Sequence, residues 1–87
     1  MKELEKILKA LANRRRLMIV QYLNKAGEAK VGNVAEKIKL SFAATSRHMM
    51  VLYSANIVEK EQRSLEMWYR LSPDMHKVAK YISNSIE

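Results

Sequence analysis

The chain of 87 residues is long enough for one domain, near the lower size limit of what folds around a single hydrophobic core. It contains no cysteine, which excludes disulfides, thiolate metal sites and catalysis by a cysteine nucleophile. The net charge of +7 is uneven, because residues 1–40 carry ten basic side chains against four acidic ones, a net of +6. A basic domain of this kind favours a polyanion as partner, usually nucleic acid.

Neither a membrane segment nor a secretion signal is predicted. No apolar run approaches the roughly 20 residues that a membrane-spanning helix needs, and the start MKELEKILKA is not a signal peptide. We therefore expect a cytoplasmic protein. Its small size without disulfides also favours an oligomer that shares its core.

The first two predicted helices follow from apolar stripes with helical spacing. Asn13 is expected to cap the second helix and Gly27 to end it. The first helix spans about residues 3–12, and its stripe is Leu4, Ile7, Leu8 and Leu11. The apolar positions of the second helix are Leu17, Ile19, Val20 and Leu23.

A short extended piece at 29–31 is expected to lead into a helix from Asn33 to Ile38, with Asn33 and Glu36 forming a capping box. After a turn at 39–40, Ser41 caps a longer helix that runs to about Ala55. Residues 33–55 thus predict a short helix, a tight turn and a longer helix, which is the arrangement of a DNA-reading unit.

The pattern then changes to a period of two residues, which predicts a β-hairpin over about 57–71. Pro73 is expected to begin a last helix over about 74–86, with the apolar stripe Met75, Val78, Ile82 and Ile86. The predicted fold class is mainly α with a β-hairpin (α+β). It is a winged helix-turn-helix with about five helices and a two-stranded wing, in one domain over residues 1–87.

The helix over 42–55 has an unusual outer face. Its predicted inner face is Thr45, Met49 and Leu52, with Val51 or Ala55 beside them. The opposite face is Phe42, Ala43, Ser46, Arg47 and Met50. Small and hydroxyl residues allow close approach to the major groove, a long donor reaches base edges, and apolar atoms meet thymine methyl groups. This composition favours a groove-reading helix, and the alternative is a protein-binding patch or tolerated surface.

The residues also resemble the ArsR/SmtB family of bacterial and archaeal repressors. The resemblance is carried by "ALANRRRLMIVQYL", "VAEKIKLSFAATSRHMMVL", "ANIVEKE" and "WYRL", in this order, from about Leu8 to Asp74. It implies a homodimeric transcriptional repressor that dimerises through its first and last helices and binds double-stranded DNA, at an inverted repeat. It also implies that positions 42, 43, 46 and 47 face bases.

Several positions depart from the family pattern. Many members have a Cys-x-Cys pair where this chain has Lys30 and Gly32, so a thiolate sensor for arsenic, cadmium or lead is excluded. Met49 replaces the usual leucine, Phe42 and Ala43 replace a commoner Gln-Ser, and Ser64 stands where the wing tip usually has glycine.

The candidate DNA contacts extend beyond the reading helix. Arg47 is the main candidate for base readout, while His48 matches a recurrent family histidine and has a structural role as its alternative. Three arginines at a helix start suggest an anion to bind, although they could also form a solvated cluster. The complete set of candidate DNA contacts is Ser41, Phe42, Ala43, Ser46, Arg47, His48, Arg14, Arg15, Arg16, Lys60 and Arg63.

The candidate dimer interface is the apolar surface of the first and last helices. Its members are Leu4, Leu11, Met75, Val78 and Ile82. We expect this surface to be more than one domain of this size can cover. Trp68 and Tyr69 are expected to pack in the core and the dimer.

A metal site has weak support. Asp74 and His76 resemble the first half of the family's interhelical site, and Glu87 lies eleven residues after His76, where the second histidine would fall. Three ligands at best are fewer than the four that zinc usually takes. Asp74 is more simply a carboxylate in the first turn of the last helix. We expect no metal and no other cofactor.

No catalytic set is recognisable, because there is no nucleophile with a base, no glycine-rich phosphate loop and no pair of carboxylates on a cleft. The predicted function is sequence-specific binding of double-stranded DNA by a homodimeric repressor, with the helix over 42–55 in the major groove. The alternatives are a winged-helix module that binds protein and a ligand-independent DNA-binding regulator.

Overall fold

Five helices and three short strands make up the computed structural model, which describes residues 1–86. In chain order they are α1 (Lys2–Leu11), α2 (Arg14–Ala26), β1 (Ala29–Lys30), α3 (Val31–Ile38), α4 (Phe42–Ser54), β2 (Val58–Arg63), β3 (Glu66–Leu71) and α5 (Lys77–Ser85). This order confirms the predicted winged helix-turn-helix fold.

The core draws buried side chains from all five helices and from the three strands. α2 and α4 bury most of the apolar positions that their sequence patterns predict, because that stripe of an amphipathic helix can be withdrawn from water. The predicted stripes of α1 and α5 are buried only in part. The largest fully buried side chains are Ile7, Ile19, Leu23, Ile38, Met49, Leu52 and Ile57. The core therefore fixes the inner face of α4 and leaves its other face outward.

The predicted helix ends at α2 and α4 are confirmed. The Asn13 side chain accepts a hydrogen bond from the Arg16 backbone N–H, and Ser41 Oγ accepts one from the Ala44 N–H at 3.1 Å. Such caps satisfy backbone donors that have no partner within the helix. Gly27 ends α2 at a φ of 86°, in the left-handed region that favours glycine.

The predicted start of α3 is wrong by two residues. The helix begins at Val31, directly after β1, so Asn33 lies inside it and the capping box of Asn33 and Glu36 does not form. Lys30 is the N-cap residue and offers no capping side chain. The helix starts early because Val31 is buried in the core, while Asn33 is exposed to solvent.

The sheet has three antiparallel strands in the order β1-β3-β2. The hairpin of β2 and β3 is the predicted wing, with Val58 opposite Leu71 and Arg63 opposite Glu66. The predicted extended piece supplies the third strand, because Ala29 pairs with Tyr69 and Lys30 pairs with Trp68. The wing is therefore joined at its base to the connection between α2 and α3.

The last helix begins later than Pro73, where the sequence pattern placed its start. His76 is its N-cap, and its Nδ1 accepts a hydrogen bond from the Val78 N–H at 3.0 Å. Asp74 lies in the preceding turn, where Ser72 Oγ donates to its carboxylate at 2.6 Å. This hydrogen bond, rather than a helix dipole, lowers the pKa of Asp74, and Asn56 contributes a second. The prediction that Asp74 lies in the first turn of the last helix is therefore wrong.

None of the helices in residues 1–86 is long and apolar enough to cross a membrane.

Candidate nucleic-acid interface

A tight turn sets the relation between α3 and α4. Lys39 adopts the left-handed conformation with a φ of 57°, and the Leu40 N–H returns to the Ala35 carbonyl at 3.0 Å. This arrangement ends α3 and redirects the chain within two residues before Ser41 starts α4. The two helices thus form a helix-turn-helix unit.

The outward face of α4 is open to solvent as predicted. Phe42 is 62% exposed and Met50 is 65% exposed, whereas Thr45, Met49 and Leu52 are buried. Ala43 and Arg47 are exposed and Ser46 is half-buried. Val51, one of two alternatives for the inner face, is exposed, and Ala55 takes that place. A surface of small, apolar and hydroxyl groups around one arginine is thus presented outward.

Arg47 is available for an external partner. No hydrogen bond or ion pair joins it to any residue from 1 to 86. Arg14, at the start of α2, is exposed and equally unpaired within that range.

The other two arginines of the predicted cluster contact the protein itself. Arg15 Nη1 donates to the Ile38 carbonyl at 2.8 Å, at the end of α3. Arg16 Nε donates to the Ala10 carbonyl at 2.6 Å, at the end of α1. The three neighbouring arginines therefore differ, because among the described residues only Arg14 makes no hydrogen bond or ion pair.

The predicted contacts of the wing are largely engaged within the chain. Arg63 donates to both carboxylate oxygens of Glu28 at 2.8 Å each, and to Glu61 at 3.0 Å. These bonds lower the pKa of Glu28 and Glu61 and raise that of Arg63. The Lys60 ammonium lies 4.4 Å from the centre of the Tyr53 ring. Ion pairs within the chain thus engage Arg63.

Trp68 was predicted to pack in the core, but the structure does not place it there. It is half-buried on the outer face of the sheet, with the Lys30 ammonium 5.6 Å and the Arg63 guanidinium 5.0 Å from its ring centre. Tyr69 points the other way and is buried, because successive residues of a strand alternate between faces. At the wing tip, Ser64 has a φ of 58° and Leu65 is almost fully exposed.

Lysines of α1 were missed as candidate contacts. Lys6 and Lys9 line an open cleft of about 340 Å³ between α1 and α4, whose far wall includes Met50 and Val51. They lie about 35 residues before the start of α4 in sequence, so no local pattern could associate them with the reading helix.

The metal candidates do not form a site within residues 1–86. No cluster of three or more His, Cys, Asp or Glu side chains suited to a metal occurs there. His76 Nδ1 is occupied by the Val78 N–H, and Asp74 by Ser72. Glu87, the third candidate, lies outside the described residues.

The candidate dimer surface needs one correction. Leu11 is 4% exposed and packs in the chain's own core, so it cannot be uncovered surface. Leu4, Met75, Val78 and Ile82 are half-buried on α1, α5 and the turn before α5. Leu8 and Tyr81 are exposed on α1 and α5.

A helix-turn-helix followed by a β-hairpin defines a winged helix-turn-helix domain. A family model for bacterial regulatory proteins of the arsR family matches residues 13–60, more than half of the chain. The nodulation protein NolR of Rhizobium meliloti is 37% identical over 67 residues, which cover 77% of this chain and 54% of NolR. The chain belongs to the arsR family of bacterial regulatory proteins.

Solved structures agree with the sequence relatives. The homodimeric winged helix-turn-helix DNA-binding domain from Mycobacterium bovis superposes with a TM-score of 0.84 at 27% identity, covering 97% of this chain and 75% of that one. NolR from Sinorhizobium fredii gives a TM-score of 0.82 at 31% identity, covering 97% and 80%. The chain spans about half the length of the Rhizobium meliloti relative.

Proposed function

We propose that the chain is a sequence-specific DNA-binding transcriptional regulator, a repressor, that inserts α4 into the major groove. The observation that carries this proposal is the outward face of α4, where Arg47 stands without a partner in residues 1–86, beside exposed Ala43. Small neighbours let the helix approach the bases closely, and a free guanidinium fork matches the two acceptors of a guanine. Membership of a family of regulatory proteins supports the same function.

Exposed cations on α1 and α2 suit the DNA backbone. Arg14 starts α2, while Lys6 and Lys9 lie across the cleft from Met50. The ion pair of Lys9 with Glu5 is long, at 3.8 Å, and exposed, so it costs little to break. We assign these three side chains to phosphates, and Arg15, Arg16 and Arg63 to structural roles. Ser41, the N-cap of α4, and Lys60 remain secondary candidates.

Binding to random and selected duplex DNA tests the function directly. Fluorescence anisotropy at low salt should detect binding of random duplexes, and affinity should fall steeply as salt increases because counterions are released from the DNA. A specific site selected from a pool of random duplexes should bind more tightly by a factor of 10³ or more, on the order seen for specific sites. A protein-binding winged-helix module would show neither result, and that outcome would reject the proposal. We assign no catalytic function.

We further propose a homodimer in which α1 and α5 pack against the partner's helices. Leu8 and Tyr81 are exposed, and Leu4, Val78 and Ile82 are only half-covered by the chain itself. Apolar surface of this kind usually marks an interface. A two-fold dimer would place the two α4 helices about 34 Å apart and select an inverted repeat.

Sedimentation measures the assembly. At micromolar concentration we expect a species of twice the 10.1 kDa chain mass. The double change of Leu8 and Tyr81 to Ser should produce the monomer, whereas changing Phe42 and Met50 to Ser, also exposed apolar residues, should leave the dimer intact. A wild-type protein that sediments as the monomer alone would contradict the dimer.

A further inference from the structure

The Arg16 side chain joins three helices. From the first turn of α2, Nε donates to the Ala10 carbonyl at 2.6 Å and Nη2 donates to the Lys9 carbonyl at 3.2 Å. These carbonyls belong to the last turn of α1, where a helix leaves its acceptors without partners. The third nitrogen, Nη1, lies 3.1 Å from Nδ1 of His48 on α4. One guanidinium therefore caps α1 and contacts the reading helix.

This contact determines which nitrogen of His48 carries the proton. A guanidinium only donates hydrogen bonds, so His48 Nδ1 must accept with its lone pair. A neutral imidazole has one protonated nitrogen, which must then be Nε2. The ring stays neutral because burial lowers the pKa of His48, and the nearby charges of Arg16, Arg15 and Arg47 lower it further.

The protonated nitrogen is accessible to solvent. His48 is half-buried, and its Nε2 has no hydrogen-bond partner in residues 1–86. Within residues 1–86, Thr45 Oγ1 is the one buried side-chain nitrogen or oxygen that lacks a hydrogen-bond partner. Because His48 Nε2 also lacks a partner, it cannot be fully buried. Nε2 is therefore reached by solvent, one position along α4 from Arg47.

We propose that Arg16 is a positioning residue that holds His48 as a neutral Nε2–H donor to a phosphate oxygen of the bound DNA. The inference rests on the proposed DNA-binding function and extends it to a contact that carries no charge. A neutral donor releases no counterion, so it adds affinity and fixes the orientation of α4 without adding to the salt dependence. It also ties the position of this donor to α1.

The tautomer can be measured on the free protein. The nitrogen chemical shifts of the His48 ring, in a long-range proton–nitrogen correlation spectrum at neutral pH, should show Nε2 protonated and Nδ1 not. Arg16→Lys keeps the charge but loses the planar fork. In this variant we expect a mixture of both tautomers and an affinity for the selected DNA site lower by about 2- to 10-fold. Nδ1–H in the wild type, or Arg16→Lys with unchanged tautomer and affinity, would overturn the proposal.

Substitution of His48 tests the phosphate contact separately. His48→Asn keeps an acceptor near the Nδ1 position for Arg16 but removes the outward donor. We expect affinity to fall by about 2- to 10-fold at every salt concentration, with the slope of log affinity against log salt unchanged. Arg14→Ala, which removes a charge, should instead reduce that slope by about one unit. His48→Asn with wild-type affinity, or with a reduced slope, would refute a neutral phosphate contact.

The two measurements separate the possible failures. A wild type that binds no duplex would refute the proposed function and the phosphate contact together. The ring nitrogen shifts of the free protein would still decide whether Arg16 fixes the tautomer. Circular dichroism melting of each variant shows whether a loss of affinity follows from loss of the fold.

Discussion

Arg47→Ala is expected to lower affinity for the selected DNA site by about 1–3 kcal/mol and to leave affinity for random duplexes nearly unchanged. The reason is the position of the side chain, which projects from the outward face of α4 without a partner in residues 1–86. Anisotropy titrations on the selected and the scrambled duplex measure both affinities.

Arg14→Ala is the matched control, because Arg14 is also exposed and unpaired within the described chain but starts α2 instead of lying on the reading face. It should weaken both duplexes equally and leave their ratio unchanged. If Arg47→Ala weakens both duplexes equally, Arg47 contacts phosphate, and base readout must come from Phe42, Ser46 or the wing.

Leu52→Ala should destabilise the fold by about 2–5 kcal/mol, a large part of the 5–15 kcal/mol that stabilises an ordinary domain. Leu52 is fully buried on the inner face of α4, so truncation leaves a cavity beneath the reading helix. Chemical denaturation at fixed protein concentration measures the change. The concentration must be fixed because dissociation of a dimer contributes to its stability.

Val51→Ala provides the comparison for this substitution. Val51 precedes Leu52 on the same helix but is 40% exposed, so its truncation should change the free energy of unfolding by less than about 0.5 kcal/mol. Similar costs at both positions would mean that α4 is not anchored by the face that contains Leu52.

The caps and apolar stripes were predictable from the sequence because they are local. Asn13, Gly27 and Ser41 act on backbone groups within a few residues, and each occupies the helix end that its chemistry predicts. The start of α3 was not predictable in this way. Val31 is drawn into the core by distant elements, which outweighed the local capping signal of Asn33.

The candidate site was predicted as a set of residue types but not as a set of free side chains. Three adjacent arginines look equivalent in the sequence, yet Arg15 and Arg16 donate to carbonyls of α3 and α1. Arg63 likewise pairs with Glu28, 35 residues away. Such long-range partners are set by the tertiary fold, which a charge pattern does not encode.

The pairing of β1 with β3 limits how the wing can adapt to a curved duplex. The hydrogen-bonded partners of β3 hold the base of the hairpin to the core on both sides, at Ala29 and at Val58. Only the end beyond the Lys30–Trp68 pair, with Ser64 and Leu65 at its tip, extends past the third strand. Because the base of the hairpin is held in this way, the bound DNA has to bend to fit the wing. Sites rich in easily kinked pyrimidine–purine steps beneath the tip should therefore bind better than stiff ones with the same contacted bases.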